Sequence, residues 1–474
     1  KHCLIIHLKQ LTKHNGDVKN YKHDRSRFLI LHFIVKWHQK LVLNMSKILM
    51  VGSGPVAIQL ARLCNLHGEH MVDMVSRVHA STKSKRVFDA YHRDGFFSVM
   101  TQNDAHQCFL GKFTVRHFFK DVKDITQYYD VVILACTADA YRPILQQLSK
   151  STLKRIKQII LVSPTLGSHM LVKQILSDVH CEGEVISFST YLGDTRIFDK
   201  AQPHCVLTTR VKSKLFVGST HSQSITLYKL KSLFDYLNIE LTTMDTPLHA
   251  EIHNSSLYVH PPLFMNQFSL KAVFEGTKVP VYVYKLFPEG PITMTLIHEM
   301  RLMWQEMMMI LKKLKVPSVN LLKFMVKENY PIRDETMREV DIESFENLSA
   351  IHQEYLLYVR YTAILIDPFS NPDDQGAYFD FSAVPYKHVD TDEQGVIHIP
   401  RMPSEDYYRT LMIQAIGRAL NVATPMIDTL LLRYETTVKQ YCDTHLHQQL
   451  SKQFELHHFK QDLALVTNYL TFYK

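Results

Sequence analysis

Lys47-Ile48-Leu49-Met50-Val51-Gly52-Ser53-Gly54-Pro55-Val56-Ala57 is the stretch on which the fold turns. The residues before Gly52 form a short apolar run, the pattern of a buried strand. Gly52-x-Gly54-x-x-Ala57 then leads into a helical run, Ile58–Leu66. In such a turn the first glycine allows the sharp change of direction and the second lets a pyrophosphate approach the backbone. A small third residue lets helix and strand pack closely. The helix N-terminus adds amide donors and partial positive charge. The bland alternative is a tight strand–helix turn with no ligand. The sequence that follows argues against it. Met71–Val75 reads as a second strand, and Asp130–Ala135 and Gln158–Val162 are continuous apolar runs of the kind found in central parallel strands. Glu184–Ser189, Cys205–Arg210 and Lys214–Val217 add further strands.

This alternation predicts an α/β chain, with a Rossmann-type doubly wound sheet in residues 45–240. From there to residue 474 the pattern becomes mainly helical, and a substrate and catalytic domain is expected over 241–474. Pro291–Leu314, Gln353–Ile366 and Tyr407–Leu420 read as helices, the first with Gly290 before it and proline in its first turn. Its six methionines are expected to pack in the core or at a subunit interface. Pro368–Val396, rich in Pro, Asp and Gly, reads as loops and short strands.

The end of the second strand selects the cofactor. NAD enzymes place an acidic residue there for the ribose 2′-hydroxyl. Here Val75-Ser76 is followed by Arg77, with Lys83, Lys85 and Arg86 close behind. Cations at that place suit a 2′-phosphate, so NADPH is expected over NADH. A solvated basic face is the alternative.

Charge is unevenly spread. The whole chain carries a formal +8. Residues 1–44 hold nine Lys/Arg against two Asp, a net +7, which leaves +1 for the other 430 residues. A near-neutral body is poor ground for a nucleic-acid binder. The first Met is Met45, one residue before the β-α-β pattern begins, so 1–44 is read as an upstream or disordered extension. Its apolar run, Phe28–Val35, is too short to span a bilayer, which needs about 20 residues. Seven scattered Cys with no Cys-x-x-Cys pair fit a reducing cytoplasm and give no zinc framework.

Several residues past the sheet are able to do chemistry. Asn254-Ser255-Ser256-Leu257-Tyr258-Val259-His260-Pro261-Pro262 puts an amide, Asn254 being a candidate substrate-binding residue, and an imidazole six residues apart. His260 is a candidate proton shuttle, against the ordinary reading of a structural histidine. In Arg401-Met402-Pro403-Ser404-Glu405-Asp406, Arg401 is a candidate carboxylate clamp. Asp406 either orients His260 or, with Ser404 and Glu405, caps a helix starting near Tyr407. His249 with His253, and Cys442, His445, His447, His457 and His458, match no established metal motif and are read as structural or solvated; no metal is expected.

The words themselves then add a resemblance. Gly52–Leu60, Ala135–Tyr141, Ser187–Arg196, Asn254–Asn266, Lys285–Arg301 and Arg401–Thr410 resemble the staphylopine dehydrogenases, opine-metallophore synthases of the octopine dehydrogenase group. The resemblance runs from about Met45 to the C-terminus and leaves out 1–44. It implies a Rossmann domain followed by a helical domain, usually in a dimer. It implies NADPH, a 2-keto acid such as pyruvate, and an amine built from histidine and aminobutyrate. By the same resemblance Arg77 and Lys83 bind the 2′-phosphate, Thr137 and Asp139 join Gly52–Ala57 in holding the cofactor, Asp194 lies in the active cleft, and His260 is the acid/base. Arg401 with Glu405 and Asp406 matches the group's Arg-x-x-x-Glu-Asp, although Met402-Pro403 departs from its commoner wording. Ser76 stands where glycine is often found. The function expected is therefore an NADPH-dependent opine dehydrogenase of the cytoplasm. The alternatives are a 2-hydroxy-acid dehydrogenase that needs no amine, and a non-catalytic NADPH-binding regulator.

Overall fold

A computed structural model describes residues 46–66, 70–78, 81–329, 332–363, 382–456 and 458–471. The extension 1–44, residues 368–381 of the loop expected over 368–396, and His457 lie outside the described residues.

Six strands expected from the sequence, β1 (Lys47–Val51), β2 (Met71–Val75), β6 (Val131–Leu134), β7 (Gln158–Leu161), β8 (Glu184–Phe188) and β11 (Lys214–Ser219), join two that it did not signal, β5 (Phe118–Phe119) and β12 (Glu240–Met244), in one eight-stranded sheet, while the strand expected over Cys205–Arg210 lies in a second sheet. Their order is β12-β11-β8-β7-β6-β1-β2-β5. Every pair from β5 to β8 is parallel; β11 joins β8 antiparallel and carries β12 parallel to itself. Strand β12 thus continues the sheet a few residues past 240. The chain leaves β1 for β2 on one side and returns to β6 on the other, which opens a crevice at the carboxyl ends of the strands. Register sharpens it: Val51 lies level with both Val75 and Leu134, so Gly52, Ser76 and Ala135 emerge at one edge.

Both faces of this sheet are buried, as its unbroken apolar runs require. Ile48 and Met50 face a cluster with Ala57, Ile58, Met74 and Phe97. Leu49 and Val51 face the opposite one, which continues without a break through Tyr258, Met300, Ile413 and Leu470 of the helical half. A second, four-stranded sheet has the order β4-β3-β10-β9, built from β3 (Phe97–Thr101), β4 (Gly111–Phe113), β9 (Gly193–Asp199) and β10 (Gln202–Val211).

The helical half departs from expectation at its helix ends. The helix expected over Pro291–Leu314 runs from Met294 to Lys313, because the Thr293 hydroxyl accepts from Leu296 N at 3.2 Å and caps it there. Of its methionines Met300, Met303 and Met307 are fully buried on one stripe, whereas Met294 and Met309 are about half exposed. The helix expected from Tyr407 begins six residues earlier and spans Arg401–Ala419, with a non-helical backbone at Met402. A residue before proline is kept out of the α region by the ring of the next residue, here Pro403. Among the described residues no helix is long and apolar enough to cross a membrane.

Candidate active site

The turn after β1 has the geometry its glycines promised. Gly52 has φ +127°, and a Cβ there would lie 2.6 Å from the Ala135 carbonyl oxygen, so both conformation and proximity exclude a side chain. At Gly54 an added Cβ would meet no protein atom within 4 Å. What keeps Gly54 bare is therefore open space on the cavity side. Helix α1 (Pro55–Cys64) starts there with Gly54 as N-cap and no side chain covering its first amides. Ser53 and Ser76 hydroxyls bond at 2.9 Å and tie the turn to the end of β2.

A cavity of about 480 Å³ opens over these carboxyl ends. Its wall carries Gly52–Val56 after β1, Arg77 and Ser84 after β2, Cys136 and Thr137 after β6, Val162 and Ser163 after β7, and Thr190 and Tyr191 after β8. Asn254, His260, Arg360, Arg401, Glu405 and Arg409 close it from the helical half. Arg77 is thus brought to the cavity wall just past the second strand. The one carboxylate of β2, Asp73, sits inside the strand and is consumed by Arg116, His117 and Tyr129, so it does not reach that end. Lys83 is exposed on the first turn of α2 (Thr82–Asp94), off the cavity wall; Arg86 pairs with Glu393. Burial pushes the Cys136 thiol up to about 12 against the opposing charge of Arg77, which leaves a neutral thiol on the wall. Asp139 stands off the wall; burial raises the carboxyl of Asp462, and the charge of Asp139 adds to it.

His260 lies on a helix, Ser256–Phe264, whose last turns contain Pro261 and Pro262. Its side chain is 14% exposed, and Nδ1 is 3.6 Å from Asp406 Oδ1, near enough for electrostatic coupling and too far for a hydrogen bond. Asp406 is fully buried inside the Arg401–Ala419 helix and is held by Arg409. The cap alternative is therefore overturned: the helix begins at Arg401, and Asp406 faces inward one turn further on. Arg409 also meets Glu405 Oε1 at 3.2 Å and the Ser256 carbonyl at 3.3 Å. Arg401 stands at the rim, 66% exposed, with Nε 3.1 Å from Glu405 Oε2. Asn254 is buried and uses its amide locally, receiving from Ser256 N at 3.1 Å and donating to Pro164 O at 3.4 Å. Asp194 lines a smaller adjoining recess of about 50 Å³ rather than the main cavity; the two share Thr190 and Lys212.

Two of the histidines considered as ligands are engaged otherwise. His253 Nδ1 meets the His249 carbonyl at 2.7 Å and its ring lies 4.3 Å from Phe216; His445 stacks on Tyr441 at 3.8 Å. Sequence reasoning missed four residues of this region. Arg360, Arg409 and Lys212 lie far apart along the chain and carry no local motif. Glu251 is the fourth: wholly buried, it accepts from Gly167 N, His169 N and Ser187 Oγ at 2.8–2.9 Å, which locks the loop after β7 to the helical half. Its place in a Pro-Leu-His-Ala-Glu turn gave no signal.

A glycine turn at the switch point, an arginine at the second-strand end and a histidine across the crevice define a nicotinamide-dinucleotide oxidoreductase. The comparisons with known proteins go further. The staphylopine dehydrogenase family profile matches residues 46–470. Staphylopine synthase of Staphylococcus aureus is 62% identical over 426 residues, 90% of this chain and 98% of that protein. Pseudopaline synthase of Pseudomonas aeruginosa is 33% identical over 84% of this chain and 92% of its own. Among solved structures, NADP+-bound yersinopine dehydrogenase superposes with a TM-score of 0.82 at 26% identity, covering 90% of this chain and 99% of that one. The chain belongs to the staphylopine dehydrogenase family and is an opine dehydrogenase that uses a nicotinamide cofactor.

Proposed function

We propose that the chain joins an amine built from histidine and aminobutyrate to a 2-keto acid, pyruvate, with NADPH as reductant, and so makes a staphylopine-type metal-chelating product. The substrate assignment leans on the 62% identical staphylopine synthase. The preference for NADPH leans on Arg77 at the cavity wall and on the NADP+-bound relative. The enzyme works as a homodimer in the cytoplasm, with residues 45–240 holding the cofactor and 241–474 supplying most of the substrate side.

The residues present fit the cofactor. The bare Gly54 and the uncapped first turn of α1 receive the pyrophosphate, Gly52 to Ala57 shaping the cradle. Thr137 and Asp139 flank it after β6. Arg77 takes the 2′-phosphate, and exposed Lys83 adds positive charge at the same mouth. When bound, NADPH supplies the hydride that reduces the carbon–nitrogen double bond.

The proton traffic belongs to His260. As the amine nitrogen adds to the keto carbon, the imidazole accepts the proton that nitrogen loses. It delivers that proton to the former keto oxygen, and then relays the second nitrogen proton to the resulting carbinolamine hydroxyl, which leaves as water and produces the imine. Asp406, at 3.6 Å, stabilises the imidazolium through space, moderated by its own pairing with Arg409. Arg401 at the rim and Asp194 in the side recess position the substrates' charged groups. Asn254 holds the turn that brings His260 over the crevice. The observation that carries this reading is the histidine–carboxylate pair facing a dinucleotide turn across one cavity. The test is NADPH oxidation with pyruvate alone, with the amine alone and with both. Oxidation only with both is expected; oxidation with pyruvate alone would make the enzyme a 2-hydroxy-acid dehydrogenase.

A further inference from the structure

Along the sheet edge the cavity has a cofactor end and a far end. Arg77 follows β2, and Thr190 and Tyr191 follow β8, with β1, β6 and β7 between them. Neighbouring strands lie about 4.8 Å apart, so the two ends are separated by roughly 19 Å. At the far end stands Lys212, on the segment joining β10 to β11. Its backbone N bonds the Leu192 carbonyl at 3.0 Å, and its ammonium lies 5.0 Å above the Tyr191 ring.

The wall's cations divide by their partners. Arg409 is held by Asp406 and Glu405, Arg401 pairs with Glu405, and Arg360 lies over Tyr361 at 4.6 Å. Among the described residues no carboxylate lies within 4 Å of the Lys212 ammonium. Burial pulls that ammonium below its usual range, with Asp194 opposing from a distance. A half-buried ammonium with an aromatic ring beside it and no carboxylate partner gains a charge-assisted contact from an anion that arrives in the cavity. Lys212 also borders both the main cavity and the side recess, so a ligand extending from one toward the other passes it.

We infer that Lys212 anchors a carboxylate of the amine substrate, the one remote from the reacting nitrogen, and thereby sets which amines are accepted. A 2-keto acid carries its carboxylate directly on the carbon that is reduced, so a carboxylate that reaches Lys212 while reaction proceeds elsewhere in the cavity fits the longer amine. The inference rests on the opine-synthase reading, and the experiment separates the two.

The NADPH-loaded full chain, wild type and with K212M, K212Q or K212R, is titrated calorimetrically with the histidine–aminobutyrate amine and with its histamine-derived counterpart, which lacks one carboxylate. Steady-state KM and kcat are measured on the same proteins. Wild type is expected to favour the carboxylate-bearing amine by about 10- to 100-fold, the value of a charge-assisted contact. K212M and K212Q should lose that preference and K212R retain most of it, with KM for the amine rising by more than kcat falls. Preference that persists in folded K212M and K212Q overturns the anchor. So does a fall in kcat with KM unchanged, which would mark a role in proton transfer. Selective binding without turnover would overturn the reaction and leave the anchor standing. Turnover without selectivity would do the reverse, and no binding of either amine overturns both.

Discussion

Replacing His260 by alanine separates chemistry from architecture at this site. The imidazole contributes one edge-on contact to Phe264, 5.4 Å between ring centres, and is otherwise turned to the cavity. Its removal should cost the fold no more than about 1 kcal/mol, since no buried partner loses a hydrogen bond. Turnover should fall by about 10²–10⁴, the range of a missing acid/base group. NADPH affinity should hold, because the turn, Arg77 and the α1 N-terminus are untouched. Asp406→Asn is the contrasting perturbation. The carboxylate is fully buried and held by Arg409, itself almost wholly buried. Neutralising it strands the guanidinium with Glu405, so the cost should approach the lower end of the 3–5 kcal/mol for breaking a buried pair, about 3 kcal/mol. An exposed helix cap would cost about 1 kcal/mol. Turnover should also slow, since the imidazolium loses its counter-charge. Urea midpoints, NADPH titration and single-turnover rates on the three proteins give the comparison. The reasoning fails if His260→Ala unfolds the protein while the folded fraction keeps its rate, or if Asp406→Asn is as stable as wild type.

Three further outcomes are expected. Gly52→Ala meets the Ala135 carbonyl and a forbidden φ, so both thermal stability and NADPH binding should drop; Gly54→Ala meets no protein atom, so stability should stay while NADPH affinity falls, as differential scanning fluorimetry with and without cofactor would show. Arg77→Asp should raise KM for NADPH far more than for NADH, and an unchanged ratio would return Arg77 to a solvated surface. At Asp73 burial alone would raise the carboxyl, but hydrogen bonds from Arg116 and Tyr129 and the charges of Arg116 and His117 outweigh it and hold the group below its usual value. Its stabilisation is therefore complete above the unfolded-state value near 3.9 and lost as pH falls through the lower folded value; Asp73→Asn should be less stable at pH 7 and lose less of its stability on acidification, read from urea midpoints.

The nucleotide half was legible because its signals are local. Strand Lys47–Val51, the glycine turn and helix α1 are consecutive, and conformational demands such as the positive φ of Gly52 are written in the residue that meets them. The apolar runs located the central strands β1, β2, β6, β7 and β8 to within a residue, since a strand buried on both faces tolerates little else, whereas β10 starts three residues before its expected bound and β11 ends two residues after its own. Arg77 followed from its place two residues past a strand end.

Long-range electrostatics were not legible in that way. Whether Asp406 capped a helix or entered the core depended on where the helix began, which the backbone restriction before Pro403 and packing against His260 and Arg409 decided. Lys212 and Arg360 have no neighbours in sequence that mark them; only closure of the helical half over the sheet brings them to one wall. Glu251 is the same case, a carboxylate whose partners lie more than 60 residues away. Sequence by itself determined the central strands and the glycine turn, through local backbone geometry and side-chain periodicity. The tertiary structure alone decided which charges are buried together, because pairing and desolvation depend on distance through space.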